Sequence, residues 1–213
     1  NTLGQLADTD EAFLKKILGK NGVMLKRYAN GEDNAPVRHK DIEREVKSIG
    51  NATTTPRDLV TNEDVKIIFS VLAESVARRM RDLNLKGTTL SIYVRDKELN
   101  SFTRQCKMSF PTNVSLEITD NAMNLFIDNY DWKLPIRSLG ISMTDFDYDE
   151  IIQLDLSKSV EKREKLEKID TAVDTLKDRY GNFCIQRGMQ LIDTELSHFN
   201  PYDDHTIHPV SPL

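Results

Sequence analysis

Residues 89–110 read TLSIYVRDKELNSFTRQCKMSF, and this stretch decides the fold of the central part of the chain. Apolar and polar residues alternate on both sides of a turn at residues 96–100, which predicts two half-buried strands. In the second strand one face carries Phe102, Arg104, Cys106, Met108 and Phe110, and the other carries the polar set Ser101, Thr103, Gln105, Lys107 and Ser109.

Upstream of this pair the sequence predicts one strand and one helix. Residues 46–54 are rich in β-branched side chains, which favours a strand. Thr61, with Asp64 three residues later, is typical of a helix start, and Gly87 is the predicted end of that helix. The bases clustered near this end, which the helix dipole favours there, are Arg78, Arg79, Arg81 and Lys86. The apolar stripe of the helix consists of Val65, Ile68, Phe69, Leu72, Val76 and Met80.

Downstream of the pair the sequence predicts a second helix and a last strand. Pro111 closes the second strand, and Ser115 is the predicted cap of the helix that follows. Residues 136–144 alternate again, with Leu139, Ile141 and Met143 on one face. The side chains expected to point inward from the helix are Ile118, Ala122, Leu125 and Phe126.

The predicted order is therefore strand, helix, strand, strand, helix, strand. This split β-α-β-β-α-β order indicates an α+β fold, in which a four-stranded antiparallel-type sheet carries both helices on one face. The other face is left open and is rich in hydroxyl groups. It is either a docking surface for a partner or a plainly solvated face.

Three parts are expected along the chain: a helical part at residues 1–35, the sheet domain at 36–145, and an acidic linker, amphipathic helix and tail at 146–213. The chain carries 29 Lys and Arg against 34 Asp and Glu, a net charge of −5. The excess acid lies in the last part, so the sheet domain is nearly balanced and remains compatible with a polyanionic partner.

The two ends of the chain are predicted to be helical with irregular flanks. Residues 9–31 favour two short helices, with Thr9 or Asp10 as the cap and Gly19 as the stop of the first one. A polar linker is expected at residues 32–42. The seam predicted for a long helix at 160–180, which needs a partner surface, consists of Leu166, Ile169, Val173, Leu176 and Tyr180.

Several classes of protein are disfavoured. The two cysteines form no CxxC pair, and no apolar run approaches the roughly 20 residues that span a bilayer. Asn1 leads into a mixed polar segment, which predicts no signal peptide. The two widely separated cysteines, Cys106 and Cys184, favour a reducing cytoplasm. No metal site is expected, because the spacing suits none in either candidate set, His198, His205 and His208 or Asp145, Asp147, Asp149 and Glu150.

Short motifs in a fixed order resemble the Y-family (DinB/UmuC-type, ImpB/MucB/SamB) translesion DNA polymerases. The resemblance covers roughly residues 1–145, and it implies the end of the family's thumb followed by its little finger. The motifs are Thr2–Ala7, Phe13–Leu14, Gly19–Gly22 and Arg27–Gly31 in the thumb, and Lys47–Asn51, Thr53–Thr54, Leu72–Arg79, Leu85–Thr88, Phe102–Gln105 and Pro135–Ile141 in the little finger. Residues 161–166 resemble tails of Gram-positive members.

The resemblance implies a polymerase whose catalytic palm lies outside this chain. In the family the palm supplies the carboxylates that hold two magnesium ions for nucleotidyl transfer. No catalytic residue and no cofactor are therefore expected in these 213 residues, and the chain alone is expected not to polymerise.

The same resemblance implies contacts with the DNA backbone, which hold register without reading sequence. Simple alternation puts Arg104 on the mostly apolar face, so either a bulge re-aims it or it supports the core. The residues expected to meet phosphates are Lys47, Ser48, Ile49 and Gly50 on one strand, Thr103, Arg104, Gln105 and Lys107 on another, and Gly19, Lys20, Asn21 and Gly22 in the thumb.

A sliding clamp is a second expected partner. Gln153, Leu154, Asp155 and Leu156 resemble the clamp-binding peptide, although family peptides continue with Phe where this chain has Ser157. An ordinary linker into the next helix is the alternative. For the whole chain, two other interpretations stay open: a protein-interaction module with little DNA binding, and a stand-alone accessory protein that lacks a palm by nature.

Overall fold

A computed structural model describes residues 2–37, 46–147 and 159–202, with the side chains of the last range described from residue 162 onwards. The chain packs as two units, Asn1–Glu45 and Val46–Leu213, and each is described by itself. Predictions for the remaining residues, which include parts of both linkers and most of the tail, lie outside the described ranges.

The described part of the first unit contains the helices α1 (Leu3–Asp8), α2 (Glu11–Leu18) and α3 (Lys20–Ala29). Asp10 caps α2 as predicted, accepting a hydrogen bond from the N–H of Phe13 at 2.9 Å. The sequence patterns did not predict α1, which begins on a reciprocal capping pair of Thr2 and Gln5.

The helix α3 begins directly after Gly19. Gly19 alone makes the turn out of α2, with φ at 61°, so Lys20, Asn21 and Gly22 form the first turn of α3. Gly22 packs closely on α2, because a Cβ at this position would lie 2.3 Å from the carbonyl oxygen of Leu14.

The second unit confirms the predicted α+β order. Its four strands form one antiparallel sheet in the order β1-β4-β2-β3, so β1 and β3 are the edge strands. The helices α4 and α5 pack on one face of this sheet. The elements are β1 (Ser48–Leu59), α4 (Asn62–Asp82), β2 (Lys86–Asp96), β3 (Ser101–Thr112), α5 (Ser115–Ile127) and β4 (Ile136–Asp147).

The core lies between the sheet and its two helices. α4 begins on the predicted capping box, in which Thr61 and Asp64 accept each other's backbone N–H. Phe69 of α4 meets Phe126 of α5 edge to face, with ring centroids 6.3 Å apart. Each side chain buried in this way stabilises the fold by about 1.5–3 kcal/mol. The whole predicted stripe of α4 is buried: Val65, Ile68, Phe69, Leu72, Val76 and Met80.

The prediction that Gly87 ends α4 is wrong. The helix ends at Asp82, and the chain reverses at Asn84, whose φ is 53°. Gly87 lies in β2 instead, and its missing side chain makes room for a neighbour: a Cβ there would lie 2.7 Å from Cε of Met143 on β4. This glycine therefore allows close packing within the sheet.

The prediction that Ser115 caps α5 is also wrong. Val114 is the capping position of α5 and makes no side-chain cap. The carboxylate of Asp170 accepts the N–H of Ser115 at 2.8 Å and its hydroxyl at 2.7 Å. A residue 55 positions downstream thus satisfies the start of α5.

That carboxylate belongs to the C-terminal segment, which comprises α6 (Ser159–Tyr180), a short 3-10 helix (Gly188–Leu191) and α7 (Thr194–Ser197). The position of α6 confirms the prediction of a long helix at residues 160–180. The helix docks mainly through charges, and its predicted apolar seam stays partly uncovered, with Ile169, Leu176 and Tyr180 exposed by 45%, 40% and 61%. The docking pairs are Lys86 with Glu167, Arg81 with Asp174, Lys177 with Glu74, Arg163 with Glu117 and Arg78 with Asp178. None of the described helices is long and apolar enough to cross a bilayer.

Candidate nucleic-acid interface

The face of the sheet opposite α4 and α5 is an array of four rows, and each row crosses all four strands. We call these sixteen positions the open grid. In the order β1, β4, β2, β3 the rows are Thr54, Ser138, Arg95, Ser101; Ala52, Gly140, Tyr93, Thr103; Gly50, Ser142, Ser91, Gln105; and Ser48, Thr144, Thr89, Lys107.

The open grid is built from small and hydroxyl-bearing residues. None of its sixteen members is acidic, and twelve are Ser, Thr, Gly or Ala. The two glycines are required by strand packing: a Cβ at Gly50 would lie 2.6 Å from Cβ of Ser142, and one at Gly140 would lie 2.9 Å from Cβ of Ala52. A surface of short hydroxyls can donate hydrogen bonds to an extended anionic ligand without steric obstruction.

Two cations lie on this surface, in its first and last rows. Arg95 on the central strand β2 donates from Nη2 to the hydroxyl of Ser138 at 2.8 Å. Lys107 on the edge strand β3 is exposed. Within the described ranges, neither cation lies within ion-pair distance of a carboxylate. Asp145, the residue after the last row on β4, accepts a hydrogen bond from the hydroxyl of Thr89 at 2.7 Å. The grid itself therefore carries positive charge only.

The predicted β3 residues divide between the two faces. Thr103, Gln105 and Lys107 stand side by side on the open grid, all exposed. Arg104 lies on the other face, where its Nε donates to the side-chain carbonyl of Asn129 at 3.0 Å. The pairing of β2 with β3 is regular on both sides of this residue, so no bulge re-aims it.

The predicted β1 residues divide in the same way. Ser48 and Gly50 belong to the open grid, whereas Ile49 points into the core and is 1% exposed. Lys47 immediately precedes the strand and is exposed. Strand alternation thus brings two of the four predicted residues to the surface that also carries Lys107.

The residues expected in the thumb, Gly19, Lys20, Asn21 and Gly22, lie in the first unit, at the start of α3. The N–H groups of the first helical turn have no partner within the helix, and they point outward from its N-terminus. The N–H of Gly22 donates back to the carbonyl of Gly19 at 3.2 Å. The turn residues available to a ligand are therefore Lys20 and Asn21.

Comparison with known proteins identifies the sheet domain. Residues 46–156 match the impB/mucB/samB family C-terminal domain, which is more than half of the chain. The chain belongs to the impB/mucB/samB family. This membership confirms the Y-family resemblance that was drawn from the sequence motifs.

Named relatives of the family extend the similarity beyond the sheet. The chain is 41% identical over 197 residues to the DNA polymerase IV of Acetivibrio thermocellus, covering 92% of this chain and 49% of that protein. It is 34% identical over 199 residues to the DNA polymerase IV of Clostridium kluyveri, covering 88% and 48%. With the DNA polymerase IV 1 of Bacillus subtilis it shares 36% identity over 195 residues, covering 90% and 46%. The chain spans about half the length of these curated relatives.

Sequence reasoning missed Arg95 as a member of the open grid. Strand alternation would have found it, since it continues the series of Thr89, Ser91 and Tyr93 on one face of β2. The family motifs drew attention to β1 and β3 instead. The predicted clamp-binding residues Gln153, Leu154, Asp155 and Leu156 lie outside the described residues, as do Asp149, Glu150, His205 and His208.

Proposed function

We propose that the open grid binds the backbone of primer–template DNA without sequence specificity, as the DNA-gripping C-terminal part of an error-prone translesion polymerase that acts in DNA repair. The observation that carries this proposal is the open grid itself, sixteen positions with two cations and no carboxylate. Its short hydroxyls suit phosphate oxygens, which are the same at every base pair.

Each predicted residue has a role in this proposal. Ser48, Gly50, Thr103, Gln105 and Lys107 meet phosphates from the grid, and Arg95 joins them from the centre. Lys47 and Arg104 reach phosphates past the two sheet edges, and Ile49 supports its neighbours from the core. Lys20 and Asn21, on the turn that also contains Gly19 and Gly22, form a second phosphate contact on the thumb.

The parent protein is proposed to be a DNA-directed DNA polymerase, a nucleotidyltransferase of the translesion class. The relatives named DNA polymerase IV are about twice as long as this chain, which leaves room for a palm in the parent. Nucleotidyl transfer needs two metal ions to stabilise the attacking and leaving oxygens, and we place both magnesium ions in that palm. The chain alone should incorporate no nucleotide into primed template, whereas it should still bind that template.

Binding across a salt series tests the DNA proposal. The full chain should bind primer–template duplexes of unrelated sequence with equal affinity, and its affinity should fall steeply with salt. Lys47→Ala, Arg104→Ala and Lys107→Ala should each make the dependence of log K on log salt shallower by about 0.9 if one phosphate contact is lost. Absence of binding at low salt by folded wild-type protein would overturn the proposal.

A second candidate function is a protein-interaction module whose partner is the sliding clamp or another repair protein. The exposed Ile169, Leu176 and Tyr180 on α6 favour it, because such a stripe can be covered by another protein. Gln153, Leu154, Asp155 and Leu156 are the proposed clamp contacts. Binding to purified clamp that survives Leu176→Ala and disappears on Gln153→Ala would assign the clamp to this peptide.

A further inference from the structure

A polar network lies behind the β1 end of the open grid. Asn51 is only 6% exposed and lies on the helix-covered face of β1, directly after Gly50. Its side-chain N–H₂ donates to the hydroxyl of Ser75 on α4 at 2.6 Å and to the carbonyl of Pro201 at 3.2 Å. Both donor hydrogens of this buried amide therefore have partners, one of them in the C-terminal segment.

Arg79 completes the network from α4. Its Nη1 donates to the side-chain carbonyl of Asn51 at 3.1 Å and to the backbone carbonyl of Gly50 at 3.2 Å. Its neighbours Arg78 and Arg81 instead form ion pairs with carboxylates of α6. Burial lowers the pKa of Arg79 from its ordinary value, because the charged guanidinium is removed from water. A base exposed at a helix end keeps its water. The contacts of Arg79 fix the backbone of β1.

The partner in the C-terminal segment is itself anchored. Next to Pro201, the hydroxyl of Tyr202 donates to Asp82 at 2.9 Å, and the guanidinium carbon of Arg78 lies 4.0 Å from the centre of the Tyr202 ring. The Pro201 carbonyl is thereby held against Asn51. A satisfied buried network of this kind favours one arrangement of its members over others.

We infer that Asn51 and Arg79 are positioning residues, which hold Lys47, Ser48 and Gly50 in place for phosphate contact, and that the docked C-terminal segment completes them through Pro201. The inference rests on the proposed DNA-binding function and deepens it. In this inference neither residue touches DNA, since Asn51 is buried and the Arg79 guanidinium is turned toward Asn51 and the Gly50 carbonyl. The β3 side of the grid, with Lys107, lies at the opposite edge and is independent of this network.

A double-mutant cycle on the full chain tests the inference. Asn51→Ala should weaken binding to a primer–template duplex by about 3- to 10-fold, the loss that one weakened hydrogen-bond network produces. The effect of Lys47→Ala should then shrink by at least half in the Asn51→Ala background, because the start of β1 is already displaced in that protein. The effect of Lys107→Ala should be the same in both backgrounds. Tyr202→Ala, which releases the Pro201 carbonyl, should give a smaller loss with the same coupling to Lys47.

Met123→Ala is the matched control, because it removes a core side chain of α5, a helix that contributes no residue to this network. All variants are compared at a temperature where each is folded, and Met123→Ala should leave the effect of Lys47→Ala intact. Undiminished effects of Lys47→Ala in the Asn51→Ala protein would overturn the inference while leaving the proposed function standing. Failure of the wild-type chain to bind duplex would remove both.

Discussion

Arg57, near the end of β1, connects three parts of the second unit through one side chain. It donates to both carboxylate oxygens of Asp64 on α4, at 2.7 and 3.2 Å, and to Asp193 before α7 at 2.7 Å. Burial raises the pKa of Asp64, but the Arg57 hydrogen bonds and the N–H of Val60 outweigh it, so that pKa lies below its ordinary value. The Arg57 hydrogen bond also lowers the pKa of Asp193.

Replacing Arg57 by Met should lower the free energy of unfolding at neutral pH by about 1.5–3 kcal/mol, the range for hydrogen bonds to charged groups. Both carboxylates have lowered pKa values in the fold, so this stabilisation is present above their unfolded pKa of about 4 and is lost as the pH falls through the folded values. Chemical denaturation of wild type and Arg57→Met should therefore give curves that converge in acid, once the pH lies below the lowered pKa values of both carboxylates.

Lys133→Met is the control for this prediction, because Lys133 pairs with the exposed Asp131. Lys133→Met should leave the denaturation midpoint of the wild-type protein unchanged at neutral pH and in acid. A difference between wild type and Arg57→Met that persists in acid would show that Arg57 stabilises by packing rather than through the two carboxylates.

At the scale of elements, α6 and α5 depend on each other through Asp170. This carboxylate is 5% exposed, caps the start of α5, and pairs with Arg187 at 3.0 Å and Arg81 at 3.4 Å. Asp170→Ala would leave two arginines and the first N–H of α5 without this acceptor. The C-terminal segment is thus part of the sheet domain's stability.

Asp170→Ala should lower the free energy of unfolding by about 3–5 kcal/mol, because it removes one partner of a buried charge network. Amide exchange of Ser115 and the residues after it should accelerate, since their helix has lost its cap. Asp178→Ala is the matched control, because its side chain is 64% exposed and its pair with Arg78 should contribute no more than about 1 kcal/mol. Equal losses in the two variants would refute the capping role of Asp170.

The elements also show which parts of the fold local patterns can predict. Alternation in β2 and β3 and the capping box at Thr61 are local signals, and the structure confirms them. The two wrong predictions both involve long-range contacts. Gly87 leaves room for Met143 on the neighbouring strand, and the N–H of Ser115 donates to Asp170 on another helix. Alternation also assigns Arg95 and Arg104 to opposite faces, yet no single-strand pattern indicates that Asn51 is completed by Pro201.

At the scale of the whole molecule, charge is distributed rather than concentrated. The net charge is −5, yet carboxylates of α6 pair with a base of α4 on the helix-covered side of the sheet. The open grid keeps Arg95 and Lys107 as its charged members. A chain with net negative charge can therefore still carry a positive patch, because no carboxylate belongs to the open grid.

Arg95→Met should weaken duplex binding equally for unrelated sequences and reduce the salt slope by about 0.9, the loss of one phosphate contact. Arg137→Met is the matched control: it removes the same charge from β4, but Arg137 is not a member of the grid and donates to the backbone carbonyl of Thr55. Its salt slope should equal that of wild type. Equal slopes for Arg95→Met and wild type would exclude Arg95 from the interface.

Amide chemical-shift mapping of the isotope-labelled chain, titrated with a short primer–template duplex, tests the central claim most directly. We expect the largest chemical-shift changes at amides of the open grid, above all at Ser91, Thr103, Gln105 and Ser142. The amide chemical shifts of α6 should not change. Shifts confined to α6, around Ile169 to Tyr180, with unperturbed grid amides would contradict this prediction. They would assign DNA binding to α6 instead of the open grid.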